Sequence, residues 1–387
     1  MFDIGSRARC FNRAEIAAQL LRLRAYLRDF VGTLSDAQLA PPVIATISPP
    51  LWEAAHVAWF AEWWCVRDAH ATIDGDTRAD RDSVWANCDA FLNSNLIAHA
   101  TRWQLPQLTR VTTLDYLDRS LALTLAALQR ADETDAGLYP FRLAMFHEAM
   151  HLEALAWAAQ TLAWAQPAWV RPMAAAPATD DYVGFSKGKA GASFIYEVPA
   201  PLTGFTFDNE RDGIHAEMSG SSIATRPVTN SNYLQFLLRQ RSAGESVTPP
   251  IYWRETAAGW QQRRFDTWLP LAADEPVIHV SAIEAAQYCA ANQCRLPTEA
   301  ELHALFTIGL APLATTTWEW TASAFTPYPG FSADRYREYS APWFDGKHRV
   351  LRGASYATLD IMQHASYRNY FLPHRRDVFA GFRTVAL

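Results

Sequence analysis

Three histidines have the residue type and the spacing that a metal site requires. His147 and His151 lie four residues apart in the segment FHEAMHLEA. On an α-helix with 3.6 residues per turn, this spacing places the two imidazoles about 40° apart on one face, where they can chelate a single ion. A pair of this kind can also consist of ordinary hydrogen-bonded side chains, so the pair alone does not decide between the two readings.

A third imidazole, His56, lies in the segment PPLWEAAHVAWFAEWW, where its neighbours include Trp52, Val57 and Trp59. A buried imidazole in such apolar surroundings needs a polar partner, and a metal ion is one candidate. Together the three histidines predict one metal site. Their ligand type does not choose the metal, because three imidazoles suit a ferrous ion with open positions for substrates and also suit zinc with one water.

The run HEAMH also matches the zinc-protease motif HExxH, in which Glu148 would act as general base. Such proteases take a third ligand from a histidine about six residues after the second, or from an acidic residue about twenty residues on. This chain has Trp157 at the first of these positions, and the first glutamate after Glu153 is Glu197. The sequence therefore disfavours a protease. Glu153 is expected to orient a ligand or to form a salt bridge.

Four amphipathic stretches are available to position the histidines. Apolar residues recur every three or four positions over residues 16–34, 51–66, 114–128 and 140–165. Thr113 is a candidate N-cap for the stretch at 114–128. Helices with apolar stripes bury them most simply against one another, so a four-helix bundle is predicted for the first part of the chain.

The composition changes towards the second half, since thirteen of the seventeen glycines lie at residue 184 or beyond. Pro167, Pro172 and Pro177 lie in an alanine-rich stretch that is typical of a linker. We therefore predict a bundle domain at 1–166, a linker at 167–195 and a second domain at 196–387. Short aromatic runs separated by turns, with one helix near residues 282–291 after the candidate N-cap Ser281, predict an irregular α+β domain there.

Composition and charge make several classes of protein improbable. Half of the residues are apolar, 19% are charged, and the net charge is −6, so the chain is an ordinary globular one without a basic surface for nucleic acid. We expect no membrane span and no secretory signal. The five cysteines include no CxxC pair, which argues against a disulfide framework or a cysteine zinc site and favours a cytoplasmic location.

The two halves together contain a series of motifs in order. An upstream histidine and an HxxxHxE helix are followed by FDNERDGIH, PVTNSNYLQFL, RLPTEAELHAL, WEWTASAFTPYPGF, YREYSAPWFDGKHRVLRGAS and YRNYFLPHRRDVFAGFR. Over nearly its whole length the chain resembles the sulfoxide synthases of ergothioneine biosynthesis. The resemblance implies an α+β multidomain protein, with an N-terminal four-helix DinB-like bundle and a C-terminal irregular α+β domain of the formylglycine-generating-enzyme, C-type-lectin-like kind.

The resemblance also implies a cofactor and a reaction. Members of this family use Fe(II) and O2 to join sulfur to the imidazole C2 of hercynine, the trimethylated betaine of histidine. Their iron ligands correspond to the three histidines already identified. Tyr336 of YREYS corresponds to a proton donor, and Asn369 and Tyr370 correspond to hercynine-binding residues. An aromatic face suits a quaternary ammonium group, because the ring quadrupole attracts a cation that cannot donate a hydrogen bond.

The chain departs from the family pattern at positions that concern the second substrate. Relatives that take γ-glutamylcysteine carry an aspartate where this chain has Phe371, and arginines in a loop where it has LNSNLIAHATRWQLP. Met150 replaces a glutamine found in many relatives, which affects the expected imidazole contacts. The segments PPLWEAAHVAWFAEWW and NSNLIAHATRW look most like the selenoneine synthase branch, which takes a selenosugar. C–Se bond formation is therefore favoured, and sulfoxide synthesis from cysteine or γ-glutamylcysteine is the alternative.

Two other function classes make different predictions. A zinc-dependent DinB-like thiol transferase would need no O2 and would tolerate changes at Tyr336 and Asn369. A non-catalytic small-molecule-binding protein would hold no stoichiometric metal. Formylglycine-generating activity is disfavoured, because no cysteine follows Cys294. The expected partners are thus small molecules, namely hercynine, a selenosugar or thiol, and O2, while the oligomeric state is not predicted.

Overall fold

The computed structural model describes residues 4–71, 77–176, 181–185, 194–198, 203–211, 213–218 and 220–387. The chain divides into two compact units. The first comprises Met1–Trp169, Thr203–Phe205 and Leu359–Met362, and the second comprises Val170–Leu202, Thr206–Thr358 and Gln363–Leu387. The first unit is helical and the second combines helices with small sheets, which confirms the predicted α+β multidomain class.

The first unit is built from four long helices with short elements between them. Its helices are α1 (Ile4–Ala8), α2 (Arg13–Thr33), α3 (Asp36–Leu39), α4 (Pro50–Cys65), α5 (Asp89–Leu92), α6 (Arg110–Arg130) and α7 (Asp135–Thr161), and its strands are β1 (His70–Ala71) and β2 (Thr77–Arg78). Both α2 and α4 pack against α6 and α7, so the predicted four-helix bundle is confirmed. No helix in the described part of the chain is both long enough and apolar enough to span a bilayer.

The N-terminus of α6 differs from the prediction. Its N-cap is Thr109, whose hydroxyl accepts a hydrogen bond from the backbone N–H of Thr112, whereas Thr113 is buried inside the helix. The prediction of Thr113 as the cap was wrong. The first three residues of α6, 110–112, are half-buried or exposed, so a pattern of buried apolar residues does not mark where the helix begins.

An ion pair lies in the core of the bundle. Arg24 of α2 donates from Nε and Nη2 to the two carboxylate oxygens of Glu148 on α7, over 2.9 and 3.2 Å, and both side chains are almost fully buried. Arg24 also donates to the carbonyl oxygen of Leu117 and to the hydroxyl of Ser120 on α6. Because removing one partner would leave a buried charge uncompensated, this pair fixes the rotation of α7 against α2 and α6.

The second unit contains three helices and thirteen short strands in its described part. Its helices are α8 (Asn230–Ser242), α9 (Ala282–Ala291) and α10 (Glu299–Thr307), and its strands are β3 (Tyr182–Gly184), β4 (Phe194–Val198), β5 (Ile214–Met218), β6 (Ser222–Ala224), β7 (Trp253–Thr256), β8 (Gly259–Arg264), β9 (Thr267–Pro270), β10 (Cys294–Arg295), β11 (Thr317–Ala324), β12 (Arg349–Ala354), β13 (Asn369–Phe371), β14 (Ala380–Gly381) and β15 (Val385–Ala386). The predicted helix at 282–291 and its N-cap Ser281 are confirmed.

The strands form four small sheets instead of one large one. Two four-stranded sheets have the orders β10-β15-β6-β3 and β13-β12-β11-β14, β7-β8-β9 form a third sheet, and β4-β5 a hairpin. In the second of these sheets β13 runs antiparallel to β12, with Asn369 opposite Leu351 and Tyr370 opposite Val350. The sheet therefore holds the two predicted hercynine-binding residues on an ordered strand.

The interval predicted as a linker, 167–195, falls partly outside the described residues. Within the described part, Trp169, Val170 and Met173 are buried, and β3 pairs with β6. Alanine and proline content indicates irregular backbone there, but it does not reveal which side chains are buried against the rest of each unit.

A buried carboxylate organises the backbone next to β13. Glu299, at the start of α10, accepts hydrogen bonds from Arg352 and Arg368 and from the hydroxyl of Tyr328. Arg368 also donates to the carbonyl oxygen of Asn209 over 2.8 Å. Burial disfavours the charged carboxylate, but the two guanidinium groups outweigh burial and lower the pKa of Glu299 to about 2. Arg368 therefore anchors the start of β13.

We predict that Glu299→Gln destabilises the second unit by about 3–5 kcal/mol at neutral pH, because two buried arginines lose their counter-charge. Since the pKa of Glu299 in the folded state lies below its ordinary value of 4.5, the stabilisation is complete above pH 4.5 and is lost as the pH falls towards 2. Thermal unfolding of both proteins between pH 7 and pH 3 measures this. A constant difference over that range, or an equal effect of the exposed control Glu245→Gln, would contradict the prediction.

Candidate functional site

The three predicted metal ligands lie together in the core of the first unit. His56 comes from α4, and His147 and His151 come from α7. One ligand nitrogen from each lies within 4.8 Å of the other two, and the described residues contain no other group of three or more His, Cys, Asp or Glu side chains placed to hold an ion. His56 and His147 are buried, while His151 is half-buried, so the cluster opens towards solvent on the His151 side.

Two of the imidazoles are held through Nδ1, which leaves Nε2 available to a metal. Nδ1 of His56 lies 2.7 Å from the carbonyl oxygen of Leu92, and because a carbonyl only accepts, Nδ1 must carry the proton. Nδ1 of His151 lies 2.6 Å from Oε1 of Glu53. The Nε2 atoms of His151 and His147 are 3.0 Å apart, which matches two adjacent ligands at right angles with metal–nitrogen bonds of about 2.1 Å.

Glu53 is a functional candidate that the sequence analysis missed. It lies three residues before His56 on α4, so both side chains lie on one helical face, and its carboxylate reaches His151 on α7. Burial disfavours its charged form, but the attraction of His151 outweighs burial and lowers the pKa of Glu53. A carboxylate in this position fixes the tautomer and the orientation of a metal-binding imidazole. The E-x-x-H spacing in WEAAH was the signal that could have identified it.

The surroundings keep the buried imidazoles neutral. Burial, reinforced by His151, lowers the pKa of His56 to about 3, and the same two causes lower the pKa of His147 well below its usual value. A neutral imidazole has the free lone pair that a metal ligand needs. His56 and His147 therefore bind a cation without first losing a proton at neutral pH.

Aromatic rings stack on the imidazoles of His56 and His147 and fix their orientation. The ring of Trp52 stacks on His56 with centroids 4.8 Å apart and an interplanar angle of 8°, and Trp59 lies on His56 at 5.6 Å. Phe60 stacks on His147 at 3.5 Å and 5°. All of these rings belong to α4, whose residues are all buried. The site thus has apolar walls that restrict both ring rotation and water entry.

The segment that supplies the Leu92 carbonyl is itself tied to α4. Asp89 accepts from the indole N–H of Trp59 over 2.7 Å and forms a two-point ion pair with Arg67 over 2.7 and 2.9 Å. The indole N–H of Trp52 donates to the carbonyl oxygen of Phe91 over 2.8 Å. These contacts place α5 beside the metal cluster, so that the end of α5 orients His56.

The position of Glu148 argues against the zinc-protease alternative. In that mechanism the glutamate of HExxH must face the metal and its water. Here both carboxylate oxygens of Glu148 are engaged by Arg24, and the residue is fully buried. The glutamate therefore serves the packing of the bundle and is not available as a general base.

The predicted site residues of the second unit lie close to one another. The ring centroid of Tyr339 is 6.0 Å from that of Tyr336 and 6.4 Å from that of Tyr370. The hydroxyl of Tyr370 donates to the carbonyl oxygen of Tyr339, and its ring stacks on Phe325 at 3.9 Å. Asn369 accepts from the backbone N–H of Tyr370 over 2.9 Å. We call Tyr336, Tyr339 and Tyr370 the tyrosine cluster.

The loop that carries Tyr336 is fixed by the segment FDNE, residues 207–210, a role that its sequence alone did not predict. The Ser340 hydroxyl donates to Asp208, and the Asn209 amide donates to the Ser340 hydroxyl over 2.9 Å. Burial raises the pKa of Tyr336, and the carboxylates of Glu338 and Asp208 reinforce this effect. The phenol therefore stays protonated at neutral pH.

The structure also assigns partners to several arginines near the end of the chain. Arg368 pairs with Glu299, Arg375 with Asp377 and Arg376 with Glu284. These three guanidinium groups therefore form ion pairs within the fold. Arg335 and Arg337 are exposed.

Comparison with known proteins covers both units. Residues 193–304 and 307–386 match the family described as the sulfatase-modifying factor enzyme 1-like domain. The hercynine oxygenase of Mycobacterium tuberculosis is 28% identical over 95% of this chain and 98% of its own length, and that of Mycolicibacterium thermoresistibile is 28% identical over 96% and 94%. Ergothioneine biosynthesis protein 1 of Schizosaccharomyces pombe is 31% identical over 47% of this chain and 27% of its own length.

These similarities agree with the motifs read from the sequence. The domain match covers most of the second unit, and the similarity to two hercynine oxygenases extends through the first unit, which carries the histidine cluster. The chain therefore belongs to the family of the ergothioneine-biosynthesis sulfoxide synthases.

Proposed function

We propose that the protein is an iron(II)- and O2-dependent enzyme that joins a chalcogen atom to the imidazole C2 of hercynine, with a selenosugar as the chalcogen donor. The observation that carries the proposal is the three-histidine cluster in a chain similar along its length to hercynine oxygenases. Sulfoxide synthesis from cysteine or γ-glutamylcysteine is the second candidate, and the similarity to hercynine oxygenases supports it.

The donor set suits iron(II). His56, His147 and His151 would hold the ion through three imidazoles, and a ferrous ion with this ligand set keeps coordination positions for substrates and O2. Iron(II), when bound, would supply the activation of O2 that this reaction requires. Glu53 and the Leu92 carbonyl would orient two of the ligands through Nδ1, while Trp52, Trp59 and Phe60 would restrict water at the imidazoles.

The conversion balances when one O2 is consumed. With a thiol donor, hercynine, the thiol and O2 give a sulfoxide and water: the C2–H and S–H bonds break, a C–S bond forms, and one oxygen atom remains on sulfur. The other oxygen atom leaves as water with the two hydrogens. Such a reaction needs a proton donor, and Tyr336 fits this role because its raised pKa keeps the phenol protonated.

Asn369 and Tyr370 are proposed to bind hercynine. The hydroxyl of Tyr370 is engaged by the Tyr339 carbonyl oxygen and one face of its ring stacks on Phe325, so the opposite ring face is the part left for a ligand. A ring face attracts a trimethylammonium group through its quadrupole. Asn369 is half-buried at the start of β13, and its amide offers both a donor and an acceptor to a polar substrate group.

Two features favour a neutral donor such as a selenosugar over a thiol with several charges. Phe371 lies under the guanidinium of Arg375 at 5.1 Å and offers no carboxylate where relatives that use γ-glutamylcysteine carry an aspartate. Arg102 is the one arginine in the segment LNSNLIAHATRWQLP. Its guanidinium stacks on Trp52 at 3.8 Å and donates to the Ser48 hydroxyl, so it is already used in packing.

A donor competition decides between the two candidates. The iron(II)-loaded protein is incubated without oxygen with hercynine and either a selenosugar, cysteine or γ-glutamylcysteine, O2 is then admitted, and the products are identified by mass. We expect an O2-dependent seleno-adduct of hercynine from the selenosugar alone. A sulfoxide from a thiol would favour the second candidate. The absence of any hercynine adduct, with activity of the zinc-loaded protein as a thiol transferase, would overturn the proposal.

We predict that Glu53→Gln weakens iron(II) binding by about 10- to 100-fold, because an amide orients the imidazole of His151 less firmly than a carboxylate does. Titration of the metal-free protein with iron(II) under anaerobic conditions measures the affinity. Glu62→Gln is the matched control, because Glu62 is buried on the same helix but accepts from Ser83, Val84 and Tyr116. An equal loss of affinity in both variants would show that damage to α4, and not orientation of His151, is the cause.

We predict that Tyr336→Phe lowers turnover by about 10²- to 10⁴-fold, the range expected for loss of a proton donor, and leaves the iron content per chain unchanged. Single-turnover assays with hercynine and O2, together with metal analysis, measure the two quantities. Tyr356→Phe is the control, because its buried hydroxyl has no hydrogen-bond partner among the described residues. Full activity of Tyr336→Phe would exclude the role proposed for this phenol.

A further inference from the structure

A cavity of about 900 Å³ opens in the second unit between α9, β10 and the sheet strands β11 and β12. Small apolar side chains of α9 form one wall, and Pro373 contributes to another. None of its lining residues belongs to the histidine cluster or to the tyrosine cluster. The cavity is therefore distinct from both clusters that the function proposed above uses.

Two cysteines meet at the wall of this cavity. Cys289 lies in the last turn of α9 and Cys294 lies in β10, and both line the cavity. Sγ of Cys294 lies 3.6 Å from the carbonyl oxygen of Cys289, so the two residues are neighbours in space as well as in the cavity wall. Pairing of β10 with β15 places Cys294 opposite Ala386, so the backbone on both sides of the pair is fixed.

The two thiols differ in exposure and in acidity. Cys289 is buried whereas Cys294 is half-buried. The neighbouring Cys289 thiol lowers the pKa of Cys294, whereas the neighbouring Cys294 thiol and burial raise the pKa of Cys289. Cys289 also lies near the C-terminus of α9, where the helix dipole disfavours a negative charge. A half-buried thiol of lowered pKa beside a buried thiol is the arrangement of an attacking and a resolving cysteine.

A positive charge faces the same cavity. Arg349 lines it and makes no side-chain hydrogen bond or ion pair within the described part of the chain. The other arginine of the lining, Arg295, is neutralised by a two-point ion pair with Glu301 over 2.6 and 2.8 Å. A guanidinium without a carboxylate partner beside a reactive thiol favours a ligand that carries an anionic group.

We propose that this cavity is a thiol–disulfide exchange site for small disulfides that carry carboxylates, with Cys294 as the attacking and Cys289 as the resolving cysteine. The Cys294 thiolate attacks the small disulfide, forms a mixed disulfide and releases one thiol. Cys289 then attacks Sγ of Cys294, the Cys289–Cys294 disulfide forms and the second thiol leaves. Two protein thiols are thus oxidised, and the small disulfide is reduced to two thiols that take up the two protons.

Reaction of the full-length protein with glutathione disulfide tests the proposal. We expect the wild-type chain to lose the Cys289 and Cys294 thiols without retaining the reagent at either residue, as measured by mapping of alkylated peptides, with intact mass reporting only the adduct on Cys10. Cys289→Ser should retain one glutathione on Cys294, and Cys294→Ser should leave Cys289 reduced. Cys10, the exposed cysteine of the first unit, is the internal control and should form only a mixed disulfide.

The charge of the probe tests the role of Arg349. Arg349→Ala should slow the reaction of Cys294 with glutathione disulfide by about tenfold and should not slow the reaction with cystamine, a disulfide that carries amines. Reaction of Cys294 no faster than that of Cys10, lack of an adduct on Cys289→Ser, or equal slowing with both probes would overturn the proposal. The outcome is independent of hercynine chemistry, because none of these steps requires metal or O2.

Discussion

The buried pair of Arg24 and Glu148 is the interaction on which the histidine cluster depends. Successive residues of a helix point about 100° apart, so a carboxylate held towards α2 turns the preceding residue, His147, towards α4. His151 lies one turn further along the same face. If α7 were shifted by one residue, the charges of Arg24 and Glu148 would be left unpaired in the apolar core, and both histidines would move away from His56. The ion pair thus fixes the register of α7 in the bundle.

The candidate metal centre is built from groups that support one another across helices. Helix α4 supplies one ligand, His56, and also the carboxylate of Glu53, which holds a ligand on α7. The end of α5 holds His56 in return. Because every orienting group is buried and hydrogen-bonded, the imidazoles are preorganised before a cation arrives. The tyrosine cluster of the second unit is likewise held by surrounding groups, because the FDNE segment and the Arg368–Glu299 pair fix the backbone on both sides of it.

Periodic and local sequence patterns made the helical bundle, the histidine pair and one helix cap predictable from the sequence. The i,i+4 spacing of His147 and His151, the apolar stripes of the bundle and the cap at Ser281 all concern residues within a few positions of one another. Glu53, Asp208 and Glu299 were not recognised, because their partners lie far away in the sequence: 98 residues separate Glu53 from His151 and 69 separate Glu299 from Arg368. Such contacts form only when the tertiary fold exists, and of these three carboxylates only Glu53 has a local signal, its E-x-x-H spacing from His56.

Helix α4 has no face exposed to solvent: all of its residues, Pro50–Cys65, are buried. A helix that packs on every side accepts few changes of volume or polarity, so it leaves little room for mutation near His56. Changes in the loops that flank the helix disturb its packing less, so directed evolution of this protein would best randomise those segments while keeping α4 constant.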